Sequence, residues 1–476
     1  MLSKQITPVA LLATLAVFSQ LSGTAITAGA NATASLTFTR DVARIFYEHC
    51  AECHKPNDIA PFSVLTYKEV RPWARSIREK VITREMPPWY ADPRYGHFKN
   101  DARLSKKDID TIVAWADQGA KEGDPKDLPA LPGYVEGWRI GKPDQVFSMT
   151  EEYTIKPDDP DNYVYFVVPT GFKEDRWVQA AEIRPGNKRL VHHVIAHILT
   201  PQAIAGSKRT GAQADSQSAN EQTIFYKEGG LARVKPNAPV IDDGASAPNG
   251  GAAFKRRAGE EGSDLFSILL TSYAPGKDPD VFAPGMAKRI PAGSKIVLQM
   301  HYSRFRGTLD KPERDRTSVG LIFAKAPPPN RVVTLTIPNH FFKIPAGADD
   351  HEVTAAYTFD QDVKLVDYMP HMHLRGKQMK YEVIYPGGRR ETLLWVPKFN
   401  FNWQTLYRLK DPIMIPKGSR MIITAHFDNS SKNKYNPDPG KPVRWGDPTY
   451  DEMMIGWMDY VVPNSGEPDV PAKEVR

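Results

Sequence analysis

Cys50-Ala-Glu-Cys53-His54 holds the only two cysteines among 476 residues, three positions apart and followed at once by an imidazole. Thiols at that spacing can add to the two vinyl groups of a haem, and the following histidine can bind its iron. A redox-active Cys-x-x-Cys pair would want a βαβ setting, and zinc would want a second pair of cysteines nearby. Neither surrounds residues 50–54, so the residues point to one c-type haem on Cys50 and Cys53, with His54 as iron ligand. The sixth ligand should be a downstream thioether or imidazole. Met86 is the choice, because Pro87 and Pro88 force a non-helical turn that can present its sulfur; His97 is the fallback.

The histidines form a second constellation. His192 and His193 are adjacent inside an apolar run, and His301 ends another. His371 and His373 are separated by one residue, and His426 and the pair Met453-Met454 follow. On a strand, residues two apart share a face, so His371 and His373 can grip one ion. Neighbours diverge, so His192 and His193 need a bulge or a strand end to act together. Imidazole suits zinc, copper or iron, and a thioether favours copper(I) over zinc. A one-electron metal also suits a chain that carries haem. His197, His340 and His351, taken singly, read as hydrogen-bonded core residues.

These residues need elements to hold them. Residues 37–125 read as helical, with runs at 38–49 and 67–85 and a third opened by Ser105. Asp108 completes a capping box there, Ile109, Ile112, Val113 and Ala116 share a face, and Gly119 is the stop. Helix, haem motif, helix, helix resembles a small cytochrome c domain. From 140 onwards short apolar runs alternate with Pro, Gly, Asp and Asn clusters, the pattern of an antiparallel sandwich or jelly roll. A Gly/Ala/Ser/Asn-rich stretch at 203–262 reads as an insertion. Ile290-Pro-Ala-Gly-Ser-Lys, running on to His301, reappears as Ile415-Pro-Lys-Gly-Ser-Arg, running on to His426. Two related β-domains, 140–326 and 331–462, follow from that echo. The expected fold is a small all-α domain followed by two tandem all-β jelly-roll sandwiches.

At the N-terminus Lys4 precedes an apolar run at 9–21, with Ala28, Ala30 and Ala32 beyond it. Residues 1–32 read as a signal peptide, which implies a periplasmic or secreted protein with no transmembrane anchor after processing. No later stretch approaches the roughly 20 apolar residues of a spanning helix. The net charge of +6 is spread along the chain and forms no basic stripe, which argues against nucleic acid. With both cysteines committed to haem, the domains must hold by burial alone.

Four segments carry a resemblance: Val191-His192-His193-Val194, Leu298-Gln299-Met300-His301-Tyr302, His371-Met372-His373-Leu374-Arg375-Gly376 and Asp451-Glu452-Met453. They resemble, in order, the signature blocks of the copper type II, ascorbate-dependent monooxygenases, which include peptidylglycine α-hydroxylating monooxygenase and dopamine β-monooxygenase. The likeness runs over roughly 140–462 and is weakest at 203–262. It implies an electron-donating copper on His192, His193 and His301, and a catalytic, oxygen-activating copper on His371, His373 and Met453. Gln299 matches as well. The family fold implied is two jelly rolls, each holding one copper across a solvent cleft. His426, the counterpart of His301 in the internal echo, stands as an alternative third ligand or a neighbour of the site.

There are departures. Where peptidylglycine enzymes place an arginine, an asparagine and a tyrosine, this chain has Met369, Ile455 and Trp457. The first two hold a substrate carboxylate in that family, so a neutral substrate is expected here. The family's disulfides cannot form. The expectation is an exported haem- and copper-dependent monooxygenase that hydroxylates a C–H bond of a small organic molecule with O2. Electrons from a donor protein or reductant would pass through the haem. The alternatives are a non-catalytic periplasmic haem/copper electron-transfer or copper-binding protein, and a haem protein whose β-domains only bind.

Overall fold

The computed structural model describes residues 35–463, apart from 57, 132, 134–136, 158, 160–161, 202–230, 233–252, 255–267, 303–308 and 447–448. The expected signal peptide lies outside the described residues. So does the expected 203–262 insertion, except the two-residue strands Leu231–Ala232 and Ala253–Phe254. Strand is the prevailing regular structure among the described residues, with helices gathered near the start. Among the described residues no helix is long and apolar enough to cross a membrane.

The helical block has its own apolar core. The chain enters through Phe38–Val42 into Ala43–His49, and returns as Ala74–Ile82 and Lys106–Asp117. Ser105 caps the last helix, its Oγ accepting from the Asp108 N–H at 3.1 Å. Gly119 ends it at φ +94°, a left-handed conformation that glycine adopts without strain. Phe38, Phe46 and Trp115 meet at ring separations of 6.2 to 6.4 Å, and Cys50 packs against their cluster.

Between the last two helices the chain leaves this block. Trp89 and Ala91 are buried in the core of the C-terminal β-unit, with Tyr90, Phe98 and Ala102 beside them. The Asp92 N–H donates to the Trp395 carbonyl at 2.8 Å, and the Lys99 N–H to the Arg408 carbonyl at 2.9 Å. His97 belongs to this strap. Its carbonyl accepts from the Lys410 N–H at 2.8 Å while its side chain is exposed.

The short apolar runs beyond residue 140 form strands. One nine-stranded sheet runs through both β-units. Its first half holds Gln145–Ser148, Ser318–Phe323, Arg176–Arg184 with the two-residue Asp280–Val281 paired to it off the main path, and Met286–Ile290; its second holds Asn330–Pro338, Met454–Pro463, Val363–Met372 and Tyr407–Ile415. The halves join at a short parallel contact, Met286 with Asn330 and Ala287 with Arg331. A five-stranded sheet covers each half, its fifth strand being Leu231–Ala232 in the first and Ala253–Phe254 in the second. Asn162–Pro169, Lys295–Tyr302, Val191–Leu199 and Ile268–Tyr273 cover the first. Arg390–Val396, Gly376–Ile384, Arg420–Phe427 and His351–Thr358 cover the second. The echo at 290–302 and 415–427 marks one event in each unit, where the chain turns out of the shared sheet into the covering one.

The units are not mounted alike. Val191, Val194, Ala196 and Ile198 face the first unit's own core, which leaves His193 and Ile195 on the opposite face. In the second unit Tyr368, Met372, Met454 and Met458 face inwards, which leaves Met369, His371, Ile455 and Trp457 on the outside of the shared sheet. These two outer faces meet, with Leu269 and Ile195 packed on Met369, Trp457 and Ile455. Val191–Leu199 is therefore buried on both faces, which is why it reads as an unbroken apolar run. Buried charges border the same seam. The Lys288 ammonium lies 3.1 Å from Asp459, whose N–H donates to Asp367 at 3.0 Å, and Arg408 reaches Asp280 at 3.0 Å.

Candidate metal centre

His301 lies opposite His193 in the ladder, and the next pair is Tyr302 with Val191. His192 is the extra residue of a bulge, the irregularity that lets adjacent histidines turn to one point. The Nδ1 atoms of His192 and His193 are 3.1 Å apart, and those of His301 and His193 3.3 Å. One ligand atom from each of the three buried rings lies within 4.8 Å of the others. Burial, and then the neighbouring imidazoles, hold His193 and His301 well below the ordinary histidine value. Both are neutral at physiological pH, the form that offers a lone pair to a metal. This all-imidazole donor set in a dry pocket fits copper. Gln299, two residues before His301, donates to the Tyr165 hydroxyl at 2.7 Å.

The second group stands on the shared sheet. His371 lies opposite Ile455, and Met372 opposite Met454. His373 and Met453 each lie one residue beyond this register, at the same end of the two strands. The carboxylate of Glu452, fully buried, accepts from the N–H groups of His373 (2.8 Å) and Arg375 (2.6 Å), which holds the two segments together. Gly376 permits the turn after His373, since a Cβ there would stand 2.6 Å from that of Met372. His371 Nδ1 is 3.0 Å from the Gln404 side-chain carbonyl, and His373 Nδ1 is 3.2 Å from the Asp451 carbonyl. Both rings thus have Nδ1 engaged, the arrangement by which a partner on one ring nitrogen orients the other for a metal. Burial lowers His371 to about 4, so it too is neutral.

The two groups are close neighbours. Phe401 stacks on His192 at 5.1 Å and 20°, and meets His373 edge-on at 5.9 Å and 81°. Phe401 thus touches one ring of each group. Sequence reasoning missed both Phe401 and Gln404, which sit on the loop after Arg390–Val396 and carry no motif of their own. His426 is not brought to either group. It lies in the covering sheet of the second unit, with Nδ1 3.2 Å from Asp350 and Nε2 3.6 Å from Glu352.

In the helical block Cys50 and Cys53 are free thiols, pushed up to about 12 and about 11 by burial. His54 Nδ1 is 3.1 Å from the Phe62 carbonyl, which leaves Nε2 for a ligand. Phe62 in turn stacks on Trp73. Two unpaired thiols and a ring so anchored fit covalent haem. Beside Cys53 a cavity of about 320 Å³ opens against the first β-unit, between Asp58, Arg139, Lys188 and Tyr273. Met86 lies four residues beyond Ala74–Ile82, its N–H on the Lys80 carbonyl at 3.3 Å, at the point where the strap departs.

Among curated proteins none matches this chain. Solved structures give weak likenesses to the infectious bursal disease virus Gx strain (10% identity, TM-score 0.18, 69% of this chain and 74% of that one) and to the PBCV-1 virus capsid (7%, 0.22, 69% and 96%). Residues 335–469 match the family model of the copper type II ascorbate-dependent monooxygenase, C-terminal domain. That stretch contains His371, His373 and Met453, and the enzyme class that goes with it is copper-dependent monooxygenase.

Proposed function

We propose that the protein is an exported monooxygenase that uses two copper ions and one c-type haem to hydroxylate a C–H bond of a small organic molecule with O2. The observation that supports it most is the approach of the bulged His192–His193–His301 group to the His371–His373 pair of the matched domain. His192, His193 and His301 would hold the electron-storing ion; His371, His373 and Met453 would hold the catalytic one. Copper supplies one-electron redox chemistry and a place for oxygen. The protein's own contribution is orientation and dryness. Gln404 and Asp451 engage the rings of the second group, Glu452 holds the backbone of His373, and the apolar seam packs beside them.

Met369, Ile455 and Trp457 give the neighbourhood an apolar character, which favours an uncharged substrate. Residues 37–125 would act as a cytochrome c domain, with Cys50 and Cys53 tethering the porphyrin, His54 and Met86 on the iron, and a donor protein or reductant supplying electrons. The β-domains would span 140–326 and 331–462. The test is metal and haem content followed by aerobic turnover with uncharged aliphatic and aromatic substrates under ¹⁸O2. Two equivalents of copper, one haem and labelled product are expected. Fewer than two equivalents in metal-replete protein overturns the reading.

A further inference from the structure

We infer that Trp73, with Arg71 and Arg75 beside it, is the landing site of an acidic one-electron carrier protein; the inference rests on the haem reading above. Three rings in contact lead from the expected iron ligand to the surface. His54 lies 4.6 Å from Phe62, and Phe62 lies 4.6 Å from Trp73 with their planes 9° apart. The first ring is anchored to the second residue as well, since His54 Nδ1 is 3.1 Å from the Phe62 carbonyl. Trp73 is 39% exposed, although Val70 and Ala74 on either side of it in sequence are buried.

The surroundings are cationic. Arg71 opens the single turn Arg71–Trp73, Arg75 lies on Ala74–Ile82, and both are exposed. Nearby Arg78 is paired with Asp117 and Lys80 with Glu85. Among the described residues Arg71 and Arg75 have no carboxylate partner of this kind, so their field reaches into solvent. Opposite charge steers a partner to such a patch, and a central aromatic ring with arginines is the make-up of an interface hot spot. The Cys53 side of the haem motif is already taken. Asp58 accepts from Lys188 at 2.7 Å and Glu52 lies 3.4 Å from Arg139, which docks that side on the first β-unit. An anionic lipid surface would also attract tryptophan and arginine, but the ring path to His54 suits a redox partner. In the step itself one electron leaves the carrier's reduced centre and is taken up by ferric haem, with no bond made or broken.

The probe is a plant-type iron–sulfur ferredoxin, which is acidic and strongly reducing. Calorimetry with its oxidised form measures binding to the full-length haem protein, and stopped-flow absorbance measures haem reduction by its reduced form. Wild type is expected to bind it at low salt, with reduction slowing about tenfold or more between about 10 and 200 mM salt. Arg71→Glu combined with Arg75→Glu should weaken binding about tenfold and remove most of that salt dependence. Trp73→Leu keeps an apolar contact without the stacked ring, so it should bind within a few-fold of wild type yet be reduced at least tenfold more slowly. The haem spectrum and midpoint potential should be the same in all three proteins. Salt-independent reduction of wild type overturns the inference, as do variants that bind and are reduced as wild type is. Binding to phosphatidylglycerol vesicles but not to ferredoxin overturns it too, and assigns the patch to a membrane. Protein that carries no covalent haem would instead sink the haem reading, so the two failures are told apart.

Discussion

Gln404 lies 33 residues beyond His371, in a loop with no periodicity, yet it holds His371 Nδ1 at 3.0 Å. A partner on one ring nitrogen fixes which tautomer presents the other, and losing it commonly weakens metal binding by 10–100-fold. Gln404→Leu should lower copper(I) affinity at the His371–His373 site by about that factor while leaving the His192–His193–His301 site unchanged. Competition with a chromophoric copper(I) chelator measures both. At the other motif, Cys50→Ser with Cys53→Ser should abolish haem that survives denaturing electrophoresis, and either change alone should leave a single thioether's worth attached. Equal staining in the double variant would rule out the covalent reading. The residue scale is also where sequence reasoning erred. The echo made His426 the twin of His301, and topologically it is. But the second unit turns its other sheet to the seam, so His426 faces Asp350 and Glu352 instead.

Elements were legible to the extent that burial is periodic. Val191–Leu199 and Lys295–Tyr302 announce themselves as apolar runs because both faces are covered. Lys106–Asp117 shows its capping serine and its face, and the need for a bulge at His192 followed from strand geometry alone. The strap of residues 88–102 was not legible. Its aromatic residues follow no 2.0 or 3.6 period, because each fills a separate gap in a core built by residues some 300 positions later, as when Asn100 donates to the Leu406 carbonyl. The parallel join between units was equally hidden, since two residue pairs leave no pattern. Trp89 is the strap's anchor, and truncating a buried aromatic of this size costs about 3–5 kcal/mol. Trp89→Ala should therefore destabilise the C-terminal β-unit, with hydrogen exchange accelerated along Gly376–Ile384 and Arg390–Val396 but not along Lys295–Tyr302. Equal acceleration in both units would show that the strap is not a local anchor.

At the scale of the whole molecule the question is what fixes the two units in the one arrangement that brings the histidines together. The apolar contact of Leu269 with Met369 and Trp457 is small, and beside it lie charges that burial makes costly. Lys288 is paired with Asp459 at 3.1 Å, but Asp367 is a second carboxyl against the same pair. Burial, and then Asp459, push Asp367 well above the usual carboxylate range. For a carboxyl raised in this way, the folded state is favoured while the proton is present. That contribution is complete below the unfolded value near 4 and is lost as pH climbs through the folded value. Asp367→Asn imitates the protonated form and keeps an oxygen to accept the Asp459 N–H. The variant should match wild type at pH 4 and exceed it in stability at pH 8. Asp459→Asn should do the opposite, leaving the buried Lys288 without its carboxylate at a cost of about 3–5 kcal/mol. Thermal melts of copper-free protein across this pH range measure both. A gap between Asp367→Asn and wild type that does not widen with pH would mean that Asp367 is already ionised beside Lys288. The seam would then be held by a full three-charge network, and the pH at which the histidine groups come apart would be set elsewhere.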